Sequence, residues 1–269
     1  MGGNEFCDRF DCCSKNLRNM TEYNPFSLEG KTVLITGGSS GIGKATAIEC
    51  SKLGAKVIIV ARNEEKLKQT IALLNGEGHQ YLVCDLNDIS AVEKMVAELP
   101  ILDGVVNNAG FTRLAPVPFV QEDLLKEILQ TNTVAPIMIT KLMLKKKKVK
   151  RGTSFVFTNS VAGLGKVTLG NTMYASSKGA ITAFVQGAAK ELASKGIRLN
   201  AVCPGMVETE IMQFGTVSEE QLEQDRQAYP LKRYGKPEEI AWAIVYLLSE
   251  ASSWVTGTSL IIDGGFCVA

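Results

Sequence analysis

TVLITGGSSGIG, residues 32–43, joins a run of β-branched and aliphatic side chains to a turn dense in glycine. An uninterrupted apolar run is what a strand buried on both faces requires, which is the condition inside a parallel sheet. The glycines let the backbone turn sharply and approach a ligand with no Cβ in the way. The apolar periodicity that follows predicts a helix from Ile42 to Leu53, and a helix N-terminus presents free N–H groups and a positive dipole end to an anion. A strand, a glycine turn and a helix in that order predict a phosphate-binding corner of a doubly wound α/β fold. The spacing here is G-x-x-x-G-x-G.

Working outward, the same alternation repeats. Val57–Val60, Tyr81–Cys84, Leu102–Val106, Ser154–Thr158, Arg198–Val202 and Leu260–Ile262 read as six further strands. Between them lie expected helices at Glu64–Leu74, Ile89–Leu99, Glu122–Leu129, Val134–Leu144 and Thr172–Ala193, with another after Pro237, a residue suited to a helix's first turn. β-α-β alternation yields parallel strands joined by right-handed crossovers. The expectation is a Rossmann-type, seven-stranded parallel sheet flanked by helices, forming one catalytic domain over residues 28–269. Residues 1–27 are polar and read as a flexible extension.

Composition narrows the function. The 269 residues carry 29 Lys and Arg against 28 Asp and Glu, a formal charge of +1, which disfavours a nucleic-acid or membrane surface spread over the whole molecule. The longest apolar stretch, Ile240 to Leu248, is far short of the ~20 residues a spanning helix needs. A single histidine, His79, excludes a multi-histidine metal site and disfavours a Ser-His-Asp hydrolase. Seven cysteines without a paired C-x-x-C read as reduced structural thiols, consistent with a cytoplasmic protein and no metal.

Two further patterns carry chemistry. The second strand ends Val60-Ala61-Arg62-Asn63, where dinucleotide folds place either a carboxylate for an adenosine 2′-hydroxyl or a cation for a 2′-phosphate. Arg62 points to NADP(H) over NAD(H); the alternative is a solvated arginine beside Asn63 acting as a helix cap. Tyr174-Ala-Ser-Ser-Lys178 puts a phenol and an ammonium one helical turn apart on one face. A cation there is expected to lower the tyrosine pKa and make Tyr174 a usable proton donor and acceptor. Ser160, fourteen residues upstream and just past a strand, is placed to join them.

The series TGGSSGIG (36–43), CDL (84–86), NNAG (107–110), Asn132 in QTNTVAP, Ser160 in TNSVAG, YASSK (174–178), PGMVET (204–209) and DGG (263–265) resembles the single-domain short-chain dehydrogenase/reductases, in family order from Leu28 to Val268. NNAGFTR and GMVET look most like the β-ketoacyl-carrier-protein reductases. The resemblance implies that Tyr174 protonates the developing alkoxide and that Lys178 lowers its pKa and binds the nicotinamide ribose. Ser160 would hold the substrate oxygen, and Asn132 a water in the proton relay. For the cofactor it implies Gly37, Ser39, Ser40, Gly41, Ile42 and Gly43 around the phosphates, Asp85 and Leu86 at the adenine, and Asn108, Ala109 and Gly110 along the adenosine. Pro204, Gly205, Val207 and Thr209 would border the nicotinamide. Two departures are visible: Ser40 stands where many NADP-using relatives carry a basic residue, and the Ser160–Tyr174 gap is one residue longer than in those reductases. Asp85 as a helix cap, Asn132 as a helix bend and Thr209 as a cap remain the plainer alternatives.

The function so implied is reduction of a 3-oxoacyl thioester or similar ketone, with an acyl carrier protein as an admissible partner. The alternatives are an NAD-dependent secondary alcohol dehydrogenase and a non-enzymatic dinucleotide-sensing module. The helix at 172–193 has Lys178 as its only charge before Lys190 and predicts packing against another subunit; the resemblance implies a homotetramer or homodimer. Lys141–Arg151, with seven basic residues in eleven, reads as a helix end facing its own dipole followed by a solvated loop. The substrate pocket is expected around Phe111–Val117, Leu164–Asn171 and Met206–Arg233, with a flexible lid at Gln213, Gly215 and Ser218–Arg226.

Overall fold

The computed structural model describes residues 23–209 and 219–268. Among them, seven parallel strands form one sheet in the order β3-β2-β1-β4-β5-β6-β7. They are β1 (Thr32–Thr36), β2 (Lys56–Ala61), β3 (Gln80–Val83), β4 (Leu102–Asn107), β5 (Val149–Thr158), β6 (Arg198–Pro204) and β7 (Ser259–Ile262). The main helices are α1 (Gly41–Lys52), α2 (Glu64–Ile71), α3 (Ile89–Glu98), α4 (Glu122–Leu129), α5 (Ala135–Lys145), α6 (Thr172–Leu192), α7 (Glu219–Ala228) and α8 (Pro237–Leu248).

Alternating strand side chains supply two cores. Leu34, Val105, Phe155 and Phe157 face α3, α5 and α6, while Val33, Ile35, Val57, Ile59, Val106 and Val156 face α1 and α8. With both faces covered, the strands read as continuous apolar runs. The order reverses between β1 and β4, and the loops after those strands part there into a crevice above the carboxyl ends.

Several boundaries differ from the sequence reading, each for a local reason. α4 and α5 are one continuous rod, joined by a π-helical turn at Gln130–Val134 that contains Asn132. β5 starts at Val149 instead of Ser154, so the end of the basic run is strand and not solvated loop. A register shift opposite Leu102 and Gly104 absorbs Gly152, and the Thr153 hydroxyl donates to the Leu102 carbonyl at 2.8 Å. Lys146 and Lys150 pair with Glu93 (3.5 Å) and Asp103 (2.7 Å), and Lys148 donates to the Leu99 carbonyl. All of this lies at the amino ends of the strands, opposite the crevice. Of the extension expected over 1–27, residues 1–22 lie outside the described ones; beyond them the Pro25 carbonyl accepts from Ala251 N–H at 3.0 Å and Phe26 packs beside Tyr246. Of the expected lid, Gln213, Gly215 and Ser218 lie outside the described residues, while the polar run from Glu219 onward is α7.

His79 accepts from Val57 N–H at 3.1 Å through Nδ1 and reaches the Asn75 carbonyl at 2.9 Å through Nε2, a structural role at the start of β2. The long helix α6 buries Met173, Ser177, Lys178, Ile181, Val185, Ala189 and Leu192. Its outer face, carrying Ser176, Ala180, Ala183 and Gly187, is exposed in the single chain. No described helix is long and apolar enough to cross a membrane.

Candidate active site

The turn after β1 folds back on its neighbour: Gly37 and Gly38 N–H both donate to the Val60 carbonyl, at 2.7 and 3.3 Å. Two glycines are obligatory. A Cβ on Gly37, where φ is +67°, would sit 2.9 Å from the Ala109 Cα, and one on Gly43 would sit 2.2 Å from the Gly37 carbonyl oxygen. Gly43 therefore does not line the crevice; it lets α1 close against the loop. Thr36 and Asn108 brace the same corner. The Thr36 hydroxyl accepts from the N–H groups of Asn108 (3.0 Å) and Ala109 (3.2 Å), and the Asn108 amide donates to the carbonyls of Thr36 and Gly37.

Along the crevice, Arg62 is exposed at the tip of β2 and makes no ion pair with a described residue, while Asn63 caps α2 by accepting from Lys66 N–H at 3.0 Å. Asp85 is not the cap of the next helix. Asp88 is, accepting from Ser90 and Ala91 N–H at 2.8 and 3.1 Å. The Asp85 carboxylate instead accepts from Asn87 N–H at 3.0 Å and remains exposed beside the crevice. The Thr209 methyl group lies 3.2 Å from where a Gly41 Cβ would be, and the residues that Thr209 would cap lie outside the described ones.

At the other end, β5 delivers Ser160 and the first turns of α6 deliver Tyr174 and Lys178. The Tyr174 and Ser160 hydroxyls line the same end of the crevice, and the Ser160 hydroxyl accepts from Ala162 N–H at 3.1 Å. Lys178, 4% exposed, donates to the Thr158 carbonyl at 2.7 Å, and its Nζ stands 5.6 Å from the centre of the Tyr174 ring. The expected lowering of the tyrosine pKa is not what this arrangement produces. Burial pushes Tyr174 up to about 12, against a smaller opposing effect of Ser160, and burial pushes Lys178 down to about 8. The amine has shed its proton well before the phenol would titrate, so it offers no cation at that pH.

One crevice of about 530 Å³ connects these ends. It is lined by Gly37, Ser39, Ser40, Gly41, Ile42, Arg62, Asp85, Leu86, Asn108, Ala109, Gly110, Ser160, Tyr174, Lys178, Pro204, Gly205, Val207 and Thr209. Asn132 stays behind the wall, 2% exposed; its amide donates to the Phe111 carbonyl (2.9 Å) and the Ser177 hydroxyl (3.1 Å), and its oxygen accepts from Phe111 N–H (3.0 Å). Sequence reasoning missed Asn87 and Thr131, which share a 2.6 Å hydrogen bond in the wall, and Phe266, which arrives from the end of the chain. No spacing connects those three to the rest.

A glycine turn at one end of a crevice and a serine, phenol and amine at the other, on a doubly wound sheet, are the arrangement of a dinucleotide-dependent oxidoreductase. A family model described as Enoyl-(Acyl carrier protein) reductase matches residues 37–267. The chain belongs to the short-chain dehydrogenase/reductase family. It is 38% identical over 247 residues to the 3-oxoacyl-[acyl-carrier-protein] reductase FabG of Thermotoga maritima, covering 90% of this chain and 99% of that one. It is 33% identical over 250 residues to a tropinone reductase homologue of Arabidopsis thaliana, covering 90% and 94%. Among solved structures, the RhlG/NADP active-site complex of Pseudomonas aeruginosa matches with a TM-score of 0.84 at 30% identity, covering 91% of this chain and 99% of that one.

Proposed function

We propose that this chain transfers hydride between NADP(H) and a carbonyl or secondary alcohol, with a 3-oxoacyl thioester or similar ketone as its substrate class. The observation that carries the reading is that Ser160, Tyr174 and Lys178 line the same crevice as the glycine turn. The cofactor, when bound, supplies the hydride; the chain supplies geometry and proton transfer. The glycine turn and the α1 N-terminus, from Gly37 to Ile42, would receive the pyrophosphate. Arg62 would pair with a 2′-phosphate, since no carboxylate at the β2 tip opposes one. Asp85 and Leu86 would hold the adenine, Asn108 to Gly110 the adenosine side, and Pro204, Gly205, Val207 and Thr209 the nicotinamide, with Lys178 at its ribose.

A phenol held at about 12 is fully protonated at neutral pH, the state a proton donor for carbonyl reduction needs. Tyr174 then protonates the developing alkoxide while the Ser160 hydroxyl bonds the same oxygen, stabilisation realised where charge develops. Lys178, with its pKa lowered to about 8, is largely an ammonium at neutral pH and would stabilise the phenolate that Tyr174 becomes on giving up its proton. Asn132 fixes Phe111 and Ser177 behind them, and any water it holds would join this relay.

NADPH consumption with an acetoacetyl thioester tests the reading. Turnover that vanishes in Tyr174→Phe supports it; cofactor binding without turnover on any ketone or alcohol sinks it. Comparing NADPH with NADH in wild type and Arg62→Ala decides the cofactor, and a preference for NADH with a secondary alcohol would favour the dehydrogenase alternative. The reading extends to assembly: the outer face of α6 is covered by a second copy in a dimer or tetramer, which a strictly monomeric species in sedimentation at micromolar concentration would refute.

A further inference from the structure

The end of the molecule opposite the crevice concentrates positive charge. α5 and α6 each lead into a parallel strand, β5 and β6, so their C-terminal ends lie at the amino ends of the sheet. Gly152 N–H donates to the Gly196 carbonyl at 2.9 Å, and the Arg151 side chain lies against Gly196, just past Lys195. Lys141, Lys145, Lys147 and Arg151 therefore share one end with Lys190 and Lys195, all six exposed and none in an ion pair with a described residue. The exposed carboxylates beside them are Glu98 and Glu191; Glu93 and Asp103 are already paired with Lys146 and Lys150.

Helix dipoles account for only part of this. A cation in the last turn offsets the negative helix end, which covers Lys145 and Lys190. Lys141 stands a full turn further back, and Arg151 is on a strand. Lys147 is held against its own conformational preference. The N–H groups of Lys147 and Lys148 donate to the carbonyls of Leu144 (3.2 Å) and Met143 (2.8 Å), the helix-closing pattern whose left-handed position glycine normally fills. Lys147 fills it at φ +55° with its side chain exposed. A lysine there costs stability relative to glycine, so stability is not what this charge serves. Trp254 stands at the same end, 98% exposed. Arg198, two residues past Gly196, donates to the Val255 carbonyl at 3.3 Å and to the Ser252 hydroxyl at 3.0 Å, tying the loop that carries the indole to the start of β6.

We propose that this face binds single-stranded nucleic acid, its phosphates on the cations and a base stacked on Trp254. Phosphates spaced along a strand suit cations supplied by three neighbouring elements, and an aromatic ring is a platform for any base. A formal charge of +1 over the whole chain disfavours a binding surface spread everywhere and leaves room for a local one. An acidic carrier protein fits poorly, because Arg151 and Ser160 stand at opposite ends of β5, about 30 Å apart at ~3.3 Å per residue, and a thioester delivered here would face the wrong end. An anionic membrane fits poorly too: the large apolar side chains exposed beside the cations are Ile101 and Trp254, and an interfacial anchor needs an apolar face. The inference stands apart from the reading of the crevice.

Fluorescence anisotropy with a labelled oligouridylate of about 20 nucleotides, in roughly 50 to 200 mM KCl, tests it. Wild type should bind with an affinity that falls as salt rises. The triple variant Lys145→Gln, Lys147→Gly, Arg151→Gln should bind about tenfold more weakly and lower the slope of log affinity against log salt by about 2, since each phosphate contact contributes ~0.7. Lys147→Gly alone should bind about threefold more weakly while melting higher than wild type, a combination that damage to the fold cannot produce. Trp254→Ala should weaken binding at least about threefold. Absence of binding by wild type at the lower salt, a triple variant or Trp254→Ala protein equal to wild type, or a duplex of the same length bound as tightly as the single strand overturns the inference. Sedimentation with phosphatidylserine vesicles without binding to the oligonucleotide overturns it in favour of a membrane.

Discussion

Replacing Lys178 by methionine should stabilise the fold at neutral pH while ending turnover. Lys178 is 4% exposed, and burial lowers its pKa from 10.5 to about 8. At ~1.4 kcal/mol per pH unit, that gap is ~3 kcal/mol spent keeping the ammonium charged in the folded chain at pH 7. Its hydrogen bond to the Thr158 carbonyl returns part of this, and losing a charged donor there costs ~1–2 kcal/mol. The net expectation is a gain of ~1–2 kcal/mol at pH 7 for Lys178→Met. The sign of the pH dependence is fixed. Between about 8 and 10.5 the unfolded lysine still holds its proton and the folded one does not, so the penalty is complete below 8 and is relieved as pH rises to 10.5. Buried Cys50 and Cys203, with pKa values raised to about 12 and about 11, oppose this in the same alkaline range. They are present in both proteins, so the difference between urea melts of variant and wild type isolates Lys178. That difference should fall by ~3 kcal/mol from pH 7 to pH 10.5, turning the variant's gain of ~1–2 kcal/mol into a loss of similar size. A constant offset across the range would refute the reasoning.

Other perturbations address separate parts of the molecule. Gly43→Ala drives a Cβ to 2.2 Å from the Gly37 carbonyl oxygen, so it should cost ~1–3 kcal/mol in thermal unfolding and weaken NADPH binding in a fluorescence titration. Lys147 occupies the left-handed region at φ +55° just past α5, where glycine is at ease; Lys147→Gly should add ~1 kcal/mol and ~2–4 °C to Tm without altering kcat. Asn132→Ala breaks three hydrogen bonds to Phe111 and Ser177 and should cost ~2–3 kcal/mol in a urea melt. It should also lower kcat more than it raises KM for NADPH, because Asn132 braces the wall beside the reacting atoms and does not line the crevice.

The parts of the site legible in the sequence are those in which one element does the work. A strand, a glycine turn and a helix start are contiguous, so residues 32–43 are enough to place that turn at the head of a helix. Tyr174 and Lys178 share a helical face because of a four-residue spacing, and no other segment is needed to see it. Asp88 shows the limit of such reading: Asp85 and Asp88 both precede α3, and only the backbone geometry assigns the cap to one and leaves the other at the crevice. The π-helical turn that aims Asn132 at Phe111 likewise has no local signature among Gln130–Val134.

By itself, then, the amino-acid order determined the sheet, the glycine turn and which serine, phenol and amine to look for, since periodicity and spacing are properties of neighbours along the chain. Only the tertiary structure decided how deeply those groups are buried. Desolvation depends on every element packed around them, and it raised a phenol expected to be acidic to about 12 and lowered the lysine to about 8. The same holds for Phe266 and Lys166: one hundred residues separate them, and a ring and a cation meet because the last turn of the chain folds back over the mouth of the crevice.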